Sequence, residues 1–314
     1  MGELSAKIDD IPSILSRAYD LQRDGAFAEA EPVIEEALSL DYENKEVLSA
    51  LKCANYWKEK KAKFALITEP YDQAEYLLKT WRAFMDFLDQ IKDVYDACLY
   101  SIRQWVFGRS LANYMRLLEG GGADPELFLR IGRCYKGKGD YEHAVEYLEA
   151  ASAGRHDDPE IVAELADSYA LVNEIRASKA FFREAFFIDP QRIDVKVLES
   201  LLIRRLVERV RGLGYATPEL EEWIPVYGVV YGVFNVKREL KSLEYGKLRQ
   251  SIFTLENQYE ENEQQRLLLA PRLINRYFWL IDHYIHAGEE REKIEEVLLR
   301  IKGIDPSVYE QIVN

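Results

Sequence analysis

The apolar residues of this chain recur every three or four positions over most of its length, which is the spacing of helices that bury one face. Two segments that begin at Pro125 and Pro159, 34 residues apart, carry the same order of apolar, small and polar residues. Each segment predicts a helix of about four turns, a break and a second helix of similar length. The pattern therefore predicts an all-α fold that is built from repeated helical hairpins.

The repeated positions place small residues where two helices must approach each other. Gly132 and Ala166 are expected at the helix crossings, because only a small side chain lets two backbones come close. Gly139 is expected to end the first helix of its hairpin and Asp140 to begin the second. The matching positions are Phe128, Ile131, Gly132, Tyr135, Ala144, Leu148 and Ala151 in the first segment, and Val162, Leu165, Ala166, Tyr169, Ser178, Phe182 and Ala185 in the second.

This arrangement resembles the tetratricopeptide repeat (TPR) family, whose helical hairpins stack into a right-handed α-solenoid. Extending the 34-residue frame towards the N-terminus gives three further units, which begin at Ile11, Lys45 and Ile91. The Lys45 unit requires an insertion near residues 57–69. The Ile91 unit has Val94 in frame and requires a turn at the atypical sequence WVFG, residues 105–108.

The resemblance implies about five units over residues 1–192, followed by a helical C-terminal extension over residues 193–314 that packs on the array. Within the extension, residues 194–214 predict an amphipathic helix and residues 274–306 a degenerate copy of the hairpin. Another helix is expected to start with Thr217 as N-cap and Pro218 as its first residue. The run at residues 226–234 has the composition of a strand, but its i, i+4 spacing favours a helix that continues into the next one.

One short sequence imitates a nucleotide-binding motif. Gly132, Gly137 and Lys138 have the spacing G-x-x-x-x-G-K of a phosphate-binding loop. Such a loop follows a β-strand and has Ser or Thr after the lysine, whereas here a helix is predicted before it and Gly139 follows Lys138. We therefore interpret the sequence as the end of a helix and a turn.

Composition narrows the classes of function. The net charge of −14 and the isoelectric point near 5.0 argue against a nucleic-acid surface. The longest uncharged apolar run is too short to span a bilayer. Three cysteines, Cys53, Cys98 and Cys134, lie in apolar periodic runs and predict free thiols in a helical core. A cytoplasmic location is expected, although the Met-Gly start is also consistent with a removed leader.

The histidines do not form a recognisable site. His283 and His286 are spaced i, i+3 next to acidic residues, but no third metal ligand has a convincing spacing. His143 follows Glu142 directly, so the two side chains diverge on a helix. We therefore predict no enzyme, no cofactor and no metal site.

The first helix of each hairpin is expected to line a concave groove. Its predicted partner-binding residues are Leu15, Tyr19, Trp57, Tyr95, Leu99, Arg103, Leu129, Arg133 and Lys136, followed by acidic Glu160, Glu164 and Asp167. The leading hypothesis is a non-catalytic adaptor that binds an apolar helix or extended peptide with acidic groups from another protein. A structural subunit that self-associates as a homo-oligomer, through its convex face or its C-terminal helices, is the alternative. An enzyme with a site in the C-terminal third is a more distant one.

Overall fold

A computed structural model describes residues 10–91, 95–121, 124–237 and 240–313. Across these ranges the chain contains helices and no strand, and consecutive helices pack in pairs. The predicted all-α class of helical hairpins is confirmed. The chain divides into two compact units, Met1–Tyr147 and Leu148–Asn314.

The helices of the first unit follow one another with short connections. They are α1 (Ile11–Arg23), α2 (Phe27–Leu40), α3 (Lys45–Phe64), α4 (Pro70–Ile91), α5 (Asp96–Glu119), α6 (Pro125–Lys138) and the first half of α7 (Tyr141–Gly154).

The second unit contains the rest of α7 and eight further α-helices among its described residues. They are α8 (Pro159–Leu171), α9 (Ile175–Ile188), α10 (Leu201–Gly212), α11 (Glu219–Val230), α12 (Ser242–Glu261), α13 (Arg266–Ala287), α14 (Arg291–Ile304) and α15 (Pro306–Val313). Short 3-10 turns lie at Pro190–Arg192, Val195–Val197 and Glu263–Gln265.

Local sequence signals set the ends of the hairpin that begins at α6. The Asp124 carboxylate accepts a hydrogen bond from the Leu127 N–H at 2.8 Å and caps the start of α6. Gly139 ends α6 in the left-handed conformation, with φ of 84°. The Asp140 carboxylate then accepts a hydrogen bond from the His143 N–H at the start of α7. The expected roles of Gly139 and Asp140 are therefore confirmed.

The expected turn at residues 105–108 is wrong, because α5 runs without a break from Asp96 to Glu119. Trp105 packs edge-on against Phe27 and Trp57, with ring centroids 5.0 and 5.6 Å away. Burial of these rings stabilises a continuous helix and leaves Gly108 inside it. The sequence Trp-Val-Phe-Gly therefore supplies core contacts, and Val94 lies outside the described residues.

The expected insertion near residues 57–69 takes the form of a longer hairpin. Residues 57–64 continue α3, which is 20 residues long, and α4 that follows is 22 residues long. Trp57 is fully buried between Phe27, Phe84 and Trp105. Only the short connection before Pro70 forms a turn, so the additional residues lengthen both helices.

The second unit has one core that helices on both sides of residue 192 share. The ring of Phe187 in α9 lies 4.5 Å from that of Trp279 in α13. The Asn275 amide donates to the Phe186 carbonyl at 3.3 Å, and the Arg276 guanidinium donates to the Phe187 carbonyl at 2.6 Å. Helices α9 and α13 on either side of residue 192 are therefore joined in one core, and a division of the chain at residue 192 stays a prediction.

Several boundaries in the C-terminal helices differ from expectation. The helix expected over residues 194–214 begins only at Leu201. Helix α11 begins after Pro218, and the Thr217 hydroxyl donates to the Glu221 carboxylate. It ends at Val230, because the chain folds back until the Phe234 ring covers Gly228, where a Cβ atom would overlap it. The helix expected to continue through this region is therefore interrupted, whereas the hairpin expected at 274–306 is present as α13 and α14.

Candidate partner-binding clefts

The structure buries more than half of the predicted groove residues. Arg103, Arg133, Tyr95 and Leu99 are half-buried. The five buried residues are Leu15, Tyr19, Trp57, Leu129 and Lys136. An open groove at Trp57, Leu129 and Lys136 is therefore a wrong expectation, whereas Leu15 and Tyr19 line a cleft that is described below.

Helix α5 is the reason that the faces of α1 and α3 are covered. The Cys98 thiol in α5 donates to the Gln22 side chain of α1 at 3.5 Å. Further along α5, Trp105 covers Gly25 and packs against Trp57 of α3. The chain therefore fills its own groove with the helix that was expected to form another hairpin.

Helix α6 is held by its neighbours in a similar way. The Arg103 guanidinium donates to the Gly137 carbonyl and lies over the Phe107 ring, 5.8 Å from its centroid. On the other side of α6, Tyr135 stacks on Tyr147 of α7 at 5.4 Å. Arg103 therefore joins α5 to α6, and α6 has helices on two sides, which accounts for its many buried residues.

The predicted acidic end of the groove also has a structural role. Asp167 is fully buried, and its carboxylate accepts hydrogen bonds from the N–H groups of Glu199 and Ser200 at 2.8 and 2.9 Å. These groups precede α10, so Asp167 caps that helix from α8. Glu164 is buried as well, and neither carboxylate extends into an open groove.

A cleft of about 430 Å³ remains open where α1, α3 and α5 meet. We name it the basic cleft. It is lined by Arg23, Asp24, Lys61, Phe64, Gln104, Trp105, Gly108, Arg109 and Ala112. Trp105 and Phe64 lie edge to face with ring centroids 6.0 Å apart, so the cleft has aromatic as well as charged walls.

The cations of the basic cleft are largely uncompensated. Among the described residues, no carboxylate forms an ion pair with Lys61 or Arg109. Arg23 has an exposed pair with Asp20 at 3.2 Å, which contributes little because water screens it. Asp24 is the one acidic lining residue. A net positive site therefore stands out in a chain of net charge −14.

Gly108 and Lys138 shape the edge of the basic cleft. An added Cβ atom at Gly108 would have the Lys138 Cε atom as its nearest neighbour, 4.0 Å away, so the glycine leaves space beside the lysine. The Gln104 amide donates to the Lys138 carbonyl at 2.8 Å and holds the end of α6 near this point. The lysine of the G-x-x-x-x-G-K sequence therefore adds a fourth cation at the edge.

The interpretation of that sequence as helix and turn is supported by its surroundings. Residues 125–138 form a helix, and a Cβ atom at Gly137 would overlap the Phe107 ring. Gly137 thus lets α5 and α6 approach closely, and Gly132 is buried within α6. No β-strand precedes the sequence within the described residues.

A second cleft, of about 490 Å³, lies at the other end of α1. We name it the acidic cleft. It is lined by Ile11, Pro12, Leu15, Ser16, Tyr19, Asp20, Arg23, Asn44, Glu46, Ala97, Tyr100 and Ser101. The Tyr19 hydroxyl donates to the Glu46 carboxylate at 2.9 Å. Burial, with Cys98 and Glu46 nearby, raises the pKa of Tyr19 well above its ordinary value, so the hydroxyl remains a donor that holds Glu46 in place.

Other residues considered from the sequence have ordinary packing roles. His283 stacks on Tyr245 with ring centroids 4.3 Å apart, and the three cysteines are free and buried. Over the described ranges no group of three or more acidic, histidine or cysteine side chains is arranged to hold a metal ion. In the same ranges, no helix has both the length and the apolar composition that crossing a membrane requires.

Comparison with known families identifies one repeat unit. Residues 125–152 match the tetratricopeptide repeat family, and this range covers α6 and most of α7. No curated protein matches the chain. Repeats of this family serve in general as protein–protein interaction modules and are generally not catalytic.

Proposed function

We propose that the chain, of which residues 125–152 match the tetratricopeptide repeat family, is a non-catalytic adaptor that binds an acidic segment of another protein in the basic cleft. The observation that carries the proposal is the group of cations around Trp105, where Lys61 and Arg109 form no ion pair with a carboxylate among the described residues. A ligand carboxylate would supply the missing counter-charge and would orient the partner.

The aromatic walls supply a second contribution to binding. Trp105 and Phe64 offer apolar surface beside the charges, and each square ångström of apolar surface removed from water contributes about 25 cal/mol. Arg and Trp together are typical of binding hot spots, because an aromatic ring excludes water from a charged contact. A segment with Glu or Asp next to a Leu or Phe therefore complements the cleft better than a purely acidic one.

The overall charge favours a protein over a nucleic acid as the ligand. Nucleic-acid binding needs many phosphate contacts on an extended basic face. The basic cleft has a volume of about 430 Å³ and lies on a chain of net charge −14. A short acidic peptide can enter it without bringing a long polyanion close to the remaining acidic surface.

A fluorescein-labelled peptide with two Glu residues and one Leu tests the proposal by fluorescence anisotropy. The double variant Lys61→Glu/Arg109→Glu should weaken its binding by about tenfold or more, and the loss should shrink at high salt. The control Arg291→Glu/Lys302→Glu makes the same change in net charge on α14 and should leave the affinity nearly unchanged. Equal loss in both variants, or tighter binding of a labelled DNA duplex, would contradict the proposal.

The alternative of a self-associating subunit rests on apolar side chains at the surface of the second unit. Phe253, Leu267 and Leu299 are exposed on α12, α13 and α14, and exposed apolar side chains mark association surfaces when they are contiguous. Sedimentation velocity over a hundredfold range of concentration separates the two functions. A concentration-dependent dimer that Phe253→Ser/Leu299→Ser abolishes would favour the subunit.

A further inference from the structure

The basic cleft and the acidic cleft lie along the same pair of helices. Arg23 lines both, and each is bordered by α1 and α5. Going along α5, the acidic cleft uses residues 97–101 and the basic cleft residues 104–112. We infer that one partner segment lies along the junction of α1 and α5 and carries a cationic side chain in the acidic cleft as well as its acidic group in the basic cleft.

The acidic cleft has the composition of a site for Lys or Arg. Glu46 and Asp20 provide two negative charges, and Arg23, which pairs with Asp20 at 3.2 Å, leaves the lining with a net negative charge. Tyr100 is 55% exposed beside them. An exposed aromatic ring next to a carboxylate attracts a cation through its negative face as well as through the charge. Since Tyr19 holds the Glu46 carboxylate, the acceptor is positioned before a partner arrives.

The helical rise sets the distance between the two charges of the partner. Tyr100 in the acidic cleft and Arg109 in the basic cleft are nine residues apart on α5, which corresponds to about 13.5 Å at 1.5 Å per residue. An extended peptide covers this distance in about four residues at roughly 3.3 Å each. The partner therefore has an acidic and a basic side chain about four residues apart.

The order of charges provides selectivity that a single cleft does not have. A peptide with acidic groups at both ends satisfies the basic cleft but places like charges opposite Glu46 and Asp20, which disfavours binding. A peptide with one acidic and one basic end satisfies both clefts. This inference rests on the proposed function, because without the acidic anchor the second contact has no fixed position.

Two labelled synthetic peptides of equal length test it on the full chain. One has two Glu residues, a four-residue Leu-containing spacer and two Lys residues, and the other has Glu in place of the Lys residues. The unmodified protein should bind the first about fivefold more tightly, as expected for two partly exposed charge contacts. The conservative variant Asp20→Asn/Glu46→Gln removes both charges, keeps an acceptor for Tyr19 and should abolish this preference.

The outcomes separate the inference from the proposed function. Equal affinity of the unmodified protein for both peptides, with binding still lost in Lys61→Glu/Arg109→Glu, overturns the inference and leaves the proposed function standing. Binding that is insensitive to Lys61→Glu/Arg109→Glu overturns both. Tighter peptide binding after deletion of residues 1–9 would show that these residues compete for the clefts. Loss of peptide binding when the protein self-associates would show that a second copy covers them. Either outcome would also overturn the inference.

Discussion

Trp105 in α5 lies directly over Gly25, the residue at which the chain turns from α1 into α2. A Cβ atom at Gly25 would overlap the indole ring, and Gly25 has φ of 75°, which favours glycine. The same indole packs on Phe27 and Trp57. One contact therefore joins a turn, three helices and the wall of the basic cleft.

Replacing Gly25 by alanine should destabilise the first unit strongly. The substitution forces a residue with a side chain into a left-handed conformation and displaces Trp105. We therefore expect the free energy of unfolding to fall by about 3 kcal/mol, from overpacking and backbone strain together. Urea unfolding followed by circular dichroism measures it. When Trp105 is already replaced by alanine, Gly25→Ala should lower the free energy of unfolding only by the contribution of backbone strain, because no indole ring remains to be displaced.

Gly139→Ala is the matched control. Gly139 also has positive φ, of 84°, but no atom lies within 4 Å of an added Cβ. The Gly139→Ala variant should therefore lose about 1–2 kcal/mol of unfolding free energy, which comes from the left-handed backbone conformation alone. Equal losses for the two glycines would show that the contact with Trp105 contributes nothing to stability.

The parts of the fold that the sequence predicts well are those that local signals determine. The hairpin of α6 and α7 follows from the 34-residue pattern, the capping residue Asp124 and the left-handed Gly139. The continuous helix α5 could not be predicted from the repeat frame. Whether Trp105 and Gly108 belong to a turn or to a buried helix depends on contacts with Gly25 and Phe27, about 80 residues earlier in the chain.

The candidate site was only partly predictable for the same reason. Helical spacing correctly places Leu15 and Tyr19 on one face of α1, but it does not say that α5 covers part of that face. The cations of the basic cleft come from α1, α3 and α5, with Lys138 from α6, and no short sequence contains them. A charge cluster assembled from distant helices has no signature in a single sequence.

A buried ion pair should be essential to the second unit. Arg183 is nearly fully buried, lies over the Trp279 ring, donates to the Val236 carbonyl at 3.0 Å and pairs with Asp282. Asp282→Asn leaves the Arg183 guanidinium without its buried counter-charge, so we expect the free energy of unfolding to fall by about 3 kcal/mol. Thermal and urea unfolding measure this loss.

An exposed ion pair provides the comparison for Asp282. Glu295 pairs with Arg291 at 2.8 Å, and both side chains are exposed. Glu295→Gln should change stability by less than about 0.5 kcal/mol, because water and salt screen the charges. If Asp282→Asn costs no more than Glu295→Gln, Arg183 is solvated in solution and the ion pair does not hold α9 to α13.

A chain that ends at Gln191 tests the domain division that the sequence predicts. Phe186 and Phe187 contact residues of α13, so removing all helices after Gln191 exposes them. We expect the fragment to aggregate, or to bind a hydrophobic dye and unfold at a lower temperature than the full chain. A monomeric fragment with an unchanged midpoint would instead support an independent array over residues 1–192.

A substitution at Asp167 tests whether this residue stabilises the fold or binds the partner. Its buried carboxylate accepts two backbone N–H groups before α10, and in Asp167→Asn an amide NH₂ would replace one of the two acceptors. We expect a loss of about 1–3 kcal/mol in urea unfolding, because a buried donor loses its acceptor. Asp189→Asn is the control, since its exposed carboxylate caps Gln191 and asparagine caps about equally well. Affinity for the acidic peptide should be unchanged in both variants. Unchanged stability with altered peptide binding in Asp167→Asn would return Asp167 to the partner-binding surface that the sequence predicts.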